Sequence, residues 1–555
     1  MKASIALFSP AAILMATDPA FCHPSPGHRN AVKLNIPDTA IGASIAHSTS
    51  FSSFSFEPAF WVEFFGNGSS PNPLTFRLLD LITQHGGQPL IRPGGITMDS
   101  MIFDASAGDP VRTTSATGGV YRTTVGPAYY ESWSNFPNGT KFVSTLNFGN
   151  DSLDIAINMA VASVMYQPDL VEYFELGNEP TNYDESRWND STAAYVAQWK
   201  NWTAAIDTAV NATLGASDTT DLGNERWWAS SATTDVTGLH VRPADIIPAG
   251  VNSADQVAEY SIHSYPFSTC DPDRAALATI ENILNHTGLA QYADVEIYPS
   301  AKAALDAGSR WVIGEFNSIS CSGNPNVSDT FAQALWVVDS ELIYATRNAS
   351  SCHLHQGATL AFQSTDQVNT AGANGTPGFS TYDMLYPESS NLRGEARVLP
   401  SFAGQLFLAE AFATEGTRIQ NLTVQDGVDQ DYFAAYAFYD KDTLSKLAII
   451  NLHPYYANST SDYTASIDLL AYAHQSHDEW QGKGWYGRHG ERGGKQPYLK
   501  RLTAPYTNEK DEAKVTWAGQ AFTNATANGA VRTERLGWEG VVRVRGSEAV
   551  LVFLN

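Results

Sequence analysis

Two acidic residues of this chain stand where proteins built from parallel strands do their chemistry. Glu179 closes the stretch Phe174-Glu175-Leu176-Gly177-Asn178-Glu179-Pro180, and Glu315 closes Trp311-Val312-Ile313-Gly314-Glu315-Phe316. Each follows an apolar run too short for a lone helix, which reads as a buried strand ended by a breaker. In a barrel of parallel strands the C-terminal rim carries the site. Two carboxyl groups on that rim can divide acid–base work, one delivering a proton to a leaving oxygen while the other stays ionised. Across a glycosidic bond, a separation of ~5–5.5 Å lets the ionised group attack carbon, and ~6.5–9.5 Å leaves room for water. A single Glu at a strand end is most often a solvated surface group. The pair, on two strands that are not neighbours, gives each its meaning.

The elements that must position this pair follow in order along the chain. Residues 51–57 alternate Phe and Ser up to Glu57, residues 89–92 form a second strand, and residues 142–148 a third. The stretch ending at Glu179 is the fourth. Residues 227–231 and 257–265 give the fifth and sixth, the latter ending His263-Ser264-Tyr265-Pro266; residues 311–316 and 354–363 give the seventh and eighth. Helical spacing lies between them at 74–85, 153–165, 192–210, 275–284, 301–307 and 330–346, with a closing helix at 402–412. Strands alternating with helices at this spacing predict βα units in a parallel sheet, and eight of them predict a (β/α)8 TIM barrel over residues 23–415. Beyond residue 416 short alternating runs (432–438, 447–452, 464–469, 515–522, 541–544, 550–554) are separated by Gly, Asp and Asn. They predict a C-terminal antiparallel β-sandwich over 416–555, which the first residues of the barrel segment could join.

Length and charge narrow the function further. A chain of 555 residues with 43% hydrophobic and 11% aromatic residues has ample material for two cores. A formal charge of −25 leaves no basic surplus to neutralise phosphates, which excludes nucleic acid as the expected partner. Lys2, the apolar stretch 5–15 broken by Ser9-Pro10, and the small residues at 16–20 read as a signal peptide over residues 1–22. Sequons begin at Asn67, Asn138, Asn150, Asn189, Asn201, Asn211, Asn285, Asn326, Asn348, Asn374, Asn421, Asn458 and Asn524, which suits a secreted glycoprotein. No later stretch is long and apolar enough to span a membrane. The four cysteines, Cys22, Cys270, Cys321 and Cys352, show no metal-ligand spacing, so no metal is expected.

The local sequences around the two carboxylates add a resemblance. Asn-Glu-Pro on the fourth strand and Gly-Glu on the seventh resemble the clan of retaining barrel glycosidases. Within that clan the chain is similar to glycoside hydrolase family 79, the β-glucuronidase and heparanase-like family. The similarity rests on residues 174–180, His-Ser-Tyr-Pro (263–266), Gly-Glu-Phe-Asn-Ser (314–318), Arg-Pro-Gly-Gly-Ile-Thr-Met-Asp (92–99) and Leu-His-Gln-Gly (354–357). The resemblance implies Glu179 as acid/base, Glu315 as nucleophile, Tyr265 as the hydroxyl that orients Glu315, and Asn178 as a partner of the sugar 2-OH. It implies Asp99 as a carboxylate binding sugar hydroxyls, a helix cap being the alternative. Arg92 could hold Glu315 ionised or pair inside the barrel with Glu175, and the second is the reading taken here.

In family 79 the uronate carboxylate is met by a loop after the nucleophile, here Ser320-Cys321-Ser322-Gly323, and by a Tyr beyond the last strand. This chain has Phe362 at the expected place of that Tyr and offers Tyr382 in a later loop instead. The implied activity is a secreted retaining exo-β-glucuronidase acting on terminal glucuronic or 4-O-methyl-glucuronic acid of a glycan, without a cofactor. The alternatives are a clan member acting on neutral sugars and an inactive carbohydrate-binding barrel. The barrel arrangement also predicts a Cys270–Cys321 disulfide: both follow strand C-termini at the rim, whereas Cys352 precedes the eighth strand. Pairing of Cys321 with Cys352 is the other possibility.

Overall fold

Eight parallel strands close into a barrel in sequence order: β1 (Ser52–Phe56), β2 (Ile91–Pro93), β3 (Phe142–Leu146), β4 (Val171–Leu176), β5 (Trp227–Ala232), β6 (Val257–Ser264), β7 (Arg310–Phe316) and β8 (Cys352–Gln356), which pairs back with β1. The computed structural model describes residues 31–115, 121–184, 186–215, 223–233, 238–358, 378–424, 427–473 and 496–554. Phe362, Cys22, Asn374 and the proposed signal peptide lie outside them.

The Phe/Ser alternation of β1 shows how the barrel sorts its side chains. Ser55 turns inward and accepts a hydrogen bond from Arg92, while Phe56 faces out and packs edge-on against Phe64 and Phe65. Period-two alternation thus separates a polar interior from an apolar exterior here. Inside, the layer nearest the site is charged: Glu175 of β4 accepts from Arg92 of β2, Thr145 of β3, Ser231 of β5 and Ser261 of β6. The layer beneath it is apolar, built from Leu90, Val143, Trp228 and Val312, with Tyr173 against it. A buried ion pair is tolerated only when its remaining hydrogen-bonding capacity is met, and Glu175 meets this by drawing on four other strands.

The C-terminal residues form a larger antiparallel sheet and a smaller mixed one, in which Val32–Asn35 runs parallel to Ala465–Asp468. The larger runs Arg418–Asn421, Phe433–Asp440, Thr443–Asn451, Glu548–Phe553, Tyr498–Thr503, Thr516–Trp517. The smaller takes Val32–Asn35 from the start of the described chain and sets it between Thr423–Val424 and Ala465–Asp468, with Val541–Val544 beyond. Phe433, Ala435, Ala437 and Tyr439 point between the sheets. Their neighbours Ala434, Tyr436 and Phe438 point into the core shared with the barrel. A strand covered on both faces reads as a continuous apolar run. The helices Phe331–Thr346 and Ser401–Ala411 lie in that shared core and are buried almost throughout.

Three expected elements differ. The predicted helix at 275–284 is two turns, Pro272–Ala275 and Ile280–Ile283, because Thr279 caps a fresh start with its side chain accepting from Asn282 N. The expected strand 515–522 breaks at Ala518 and Gly519, whose φ values of 50° and 77° reverse the chain. The eighth strand begins earlier than expected, at Cys352, and ends at Gln356.

Candidate active site

Glu179 and Glu315 come from the C-terminal ends of β4 and β7 to one open cleft of about 520 Å³. Glu57, Asn178, Tyr183, Tyr265, His355 and Tyr382 share its wall. A carboxylate oxygen of Glu179, one of Glu315 and a ring nitrogen of His263 all lie within 4.8 Å of one another.

Glu315 is held at both oxygens. Tyr265 O–H donates to Oε1 at 2.7 Å, and Arg92 Nη1 donates to Oε2 at 2.9 Å. Burial alone would push this carboxyl up, but His355, His263, Arg92 and the Tyr265 hydroxyl outweigh it and bring it down to about 2. Arg92 does both things that the sequence left open. It binds Glu175 through Nε, Glu315 through Nη1 and the Asn178 side-chain carbonyl through Nη2 at 3.0 Å. With that oxygen taken, Asn178 presents its amide N–H2 to the cleft without a partner among the described residues.

Glu179 is aimed by an unusual backbone. Its φ of 49° and ψ of 62° are left-handed, a conformation costing a non-glycine residue about 1–3 kcal/mol. Its N–H donates to Ser231 O at 3.0 Å. Its Oε2 accepts from Asn182 Nδ2 at 2.8 Å, and His263 Nδ1 lies 3.1 Å from Oε1. The preceding Gly177 (φ 84°) has no room for a side chain, since a Cβ would meet Tyr183 Oη at 2.6 Å and Phe148 Cβ at 2.8 Å.

The opposite wall is built on Glu57 and His355. Glu57 Oε1 accepts from Thr97 N at 2.7 Å and from the Thr97 hydroxyl. It stands against Gly95, where any Cβ would overlap its carboxylate at 2.3 Å. His355 lies between Glu57 and Glu315, 3.7 Å from each. Burial works against a charged His355, yet Glu315 and Glu57 raise it above its ordinary value.

The loop after β7 has three consecutive left-handed residues, Cys321 (φ 60°), Ser322 (φ 69°) and Gly323 (φ 80°). Its carbonyl oxygens turn onto its neighbours. Those of Ser320, Cys321 and Gly323 face Thr269 Oγ1 at 3.1–3.2 Å, and that of Ser322 accepts from Thr381 N at 3.0 Å. Cys321 is bonded to Cys270, Cα to Cα 5.5 Å, and Cys352 is a buried free thiol.

The comparisons with known proteins bear on the whole chain. Residues 435–551 match the Glycosyl hydrolase family 79 C-terminal beta domain. A curated β-glucuronidase of Aspergillus niger is 29% identical over 464 residues, covering 79% of this chain and 77% of that protein. One of Neurospora crassa is 26% identical over 486 residues, covering 79% and 78%. The chain is thus similar to glycoside hydrolase family 79. A solved structure, that of a 4-O-α-L-rhamnosyl-β-D-glucuronidase from Fusarium oxysporum, overlays with a TM-score of 0.72 at 21% identity, covering 94% of this chain and 100% of that one.

Of the residues expected at the site, Glu179, Glu315, Tyr265, Asn178, Ser320, Cys321 and Tyr382 line the cleft. Three stand behind it. Asp99 spends its oxygens on backbone N–H groups of Phe148, Gly149 and Asn178. Ser322 is buried with its carbonyl on Thr381, and Gly323 N–H closes the turn onto Ile319 O. Three groups were not singled out from the sequence: Glu57 and His355, which line the cleft, and His263, buried beside Glu179 and Glu315. All three are polar residues at C-terminal ends of barrel strands, the same signal that marked Glu179 and Glu315.

Proposed function

We propose that the chain is a secreted retaining exo-β-glucuronidase that removes terminal glucuronic or 4-O-methyl-glucuronic acid from glycans. The observation that carries this reading is the approach of Glu179 and Glu315 oxygens to within 4.8 Å at the ends of β4 and β7. An approach this close suits the ~5–5.5 Å pair of double displacement better than the ~6.5–9.5 Å pair that holds a water between its carboxyl groups. Glu315 attacks the anomeric carbon as the bond to the leaving oxygen breaks, and Glu179 delivers its proton to that oxygen. A glycosyl ester on Glu315 results. Glu179, now ionised, takes a proton from water, which attacks the same carbon and frees Glu315. Asn178 donates to the 2-OH, a bond that strengthens as positive charge develops. Glu57 accepts from ring hydroxyls on the far side.

Two features support a uronate. The loop 320–323 turns its carbonyls away onto Thr269 and Thr381, which makes it a neighbour fit for an anion. The two curated relatives named above are β-glucuronidases. Exposed sequons at Asn67, Asn138, Asn150, Asn189, Asn201, Asn211, Asn326, Asn421, Asn458 and Asn524 support export, and no helix among the described residues is long and apolar enough to cross a membrane. A second reading, a retaining glycosidase for neutral sugars, is favoured by a cleft lining that holds three carboxylates and no Lys or Arg among the described residues. A proton NMR time course with aryl β-glucuronide, β-xyloside, β-glucoside and β-galactoside separates them. Release of β-glucuronic acid before mutarotation is expected. Turnover of neutral glycosides alone would establish the second reading, and α-product appearing first would overturn double displacement.

A further inference from the structure

The left-handed turn at Glu179 needs something to hold it, and most of its restraints lie outside the cleft. Asn178 N–H, one residue before Glu179, is bonded at 3.2 Å to Asp99 Oδ2 and at 3.2 Å to the Tyr183 hydroxyl. The other oxygen of Asp99 accepts from Phe148 N at 3.3 Å and Gly149 N at 3.1 Å. Asp99 follows β2, Phe148 and Gly149 follow β3, and Asn178 follows β4. One half-buried carboxylate therefore ties three consecutive strand ends together. The group behind it is equally fixed: the Arg187 guanidinium lies 4.3 Å over the Phe148 ring and 4.4 Å over the Trp188 ring, and Tyr183 stacks on Trp188. Asp99 does not line the cleft.

We infer that Asp99 is the positioning residue of the acid/base: by pinning the Asn178 N–H to the ends of β2 and β3, it fixes the turn that aims the Glu179 carboxyl at the leaving oxygen. This rests on the retaining-glycosidase reading. An ionised carboxylate has two accepting oxygens and an amide has one; burial raises the Asp99 carboxyl to about 7, so the comparison is made above that pH. Asp99→Asn therefore keeps the shape but can serve either β3 or Asn178, not both. Glu315 keeps its own holders, Tyr265 and Arg92, so attack on carbon is spared while proton delivery suffers.

Leaving-group dependence reads that difference directly. An acidic phenol departs without a proton, and a weakly acidic one does not. The experiment measures kcat/KM of the full-length wild type and Asp99→Asn on aryl β-glycosides from 2,4-dinitrophenyl to 4-methoxyphenyl. On the 4-methoxyphenyl substrate the variant is expected to lose about 100-fold, and on the 2,4-dinitrophenyl substrate less than about 5-fold. An equal loss across the series, or none, overturns the inference, because a merely structural defect does not sort substrates by leaving group. If Asp99→Asn fails to fold, Tyr183→Phe removes one of the two acceptors of the same N–H, and the same graded loss is expected. No turnover of any aryl glycoside by the wild type overturns the underlying reading instead. Turnover of a neutral series only moves the comparison to that series.

Discussion

At the scale of residues, the site holds one of its two carboxylates ionised through the groups around it. Glu315 is enclosed by His355, His263, Arg92 and the Tyr265 hydroxyl, which together bring its carboxyl down to about 2. The sign follows from linkage. A folded value below the ordinary 4.5 means that the ionised form, with the stability it brings, is present above 4.5 and is lost only as pH falls through about 2. Glu315 should thus stay a competent nucleophile across the whole mildly acidic range, and the acid limb of activity belongs to another group. Tyr265→Phe takes away the donor on Oε1 and should raise this carboxyl toward its ordinary value. Inactivation by a 2-deoxy-2-fluoro-β-glucuronyl fluoride, followed against pH, should then show an acid limb at higher pH than wild type; an unmoved limb would show that the phenol does not hold the nucleophile. The two carboxylates were legible in the sequence because each ends an apolar run at a breaker. Glu57 and His355 were not, because their meaning comes from each other and from Glu315, hundreds of residues away in the chain. Asp99 was visible as a residue, but its contacts were not, since nothing in Ile96-Thr97-Met98-Asp99 shows that the N–H groups of Phe148 and Asn178 will arrive at its oxygens.

At the scale of elements, the strands that could be read were those buried on both faces. The apolar runs within Phe142–Leu146, Val171–Leu176 and Arg310–Phe316 are such strands. Tyr498–Thr503 was missed because it carries Lys500 and Arg501 at its centre, and their partners Glu410, Glu534 and Glu548 lie far off in sequence. Val32–Asn35 was too short to be read as a strand by itself, and it is the segment through which the first residues join the C-terminal sheet, as the sequence allowed. The seam between barrel and sheet contains a titratable latch. His286 Nδ1 lies 3.0 Å from both oxygens of Asp339 on the helix Phe331–Thr346, and Tyr436 of the large sheet donates to the same carboxylate at 3.1 Å. Burial lowers the imidazole, but Asp339 outweighs it and Arg347 opposes only in part, so the His286 value is raised above 6.5. A raised folded value gives stability that is fully present below 6.5 and is lost as pH rises through the folded value. His286→Gln keeps a donor without the charge. It should cost on the order of 1–3 kcal/mol at pH 5.5 and markedly less at pH 8.5, read by urea unfolding at both. Equal costs at the two pH values would remove the charge from the account.

At the scale of the whole molecule, the formal charge of −25 sets the long-range field. A uronate must approach against it and is then bound by local groups rather than drawn in by the surface. Raising ionic strength from about 0.01 M to 0.15 M shortens the screening length from ~30 Å to ~8 Å. For an aryl β-glucuronide at pH 7, kcat/KM should therefore rise by about twofold or more over that range. A flat or falling response would place the cleft outside the net field. The disulfide between Cys270 and Cys321 has a different reach. The two residues are 51 apart in sequence, and the chain between them carries the whole of β7 with Glu315 near its end. Glu315 is thus part of a closed covalent ring whose outer arc exposes Leu277 and Val295. A protease that cuts this arc once opens the ring but does not divide the polypeptide, so the piece bearing Glu315 and the piece bearing Glu179 leave the encounter still joined.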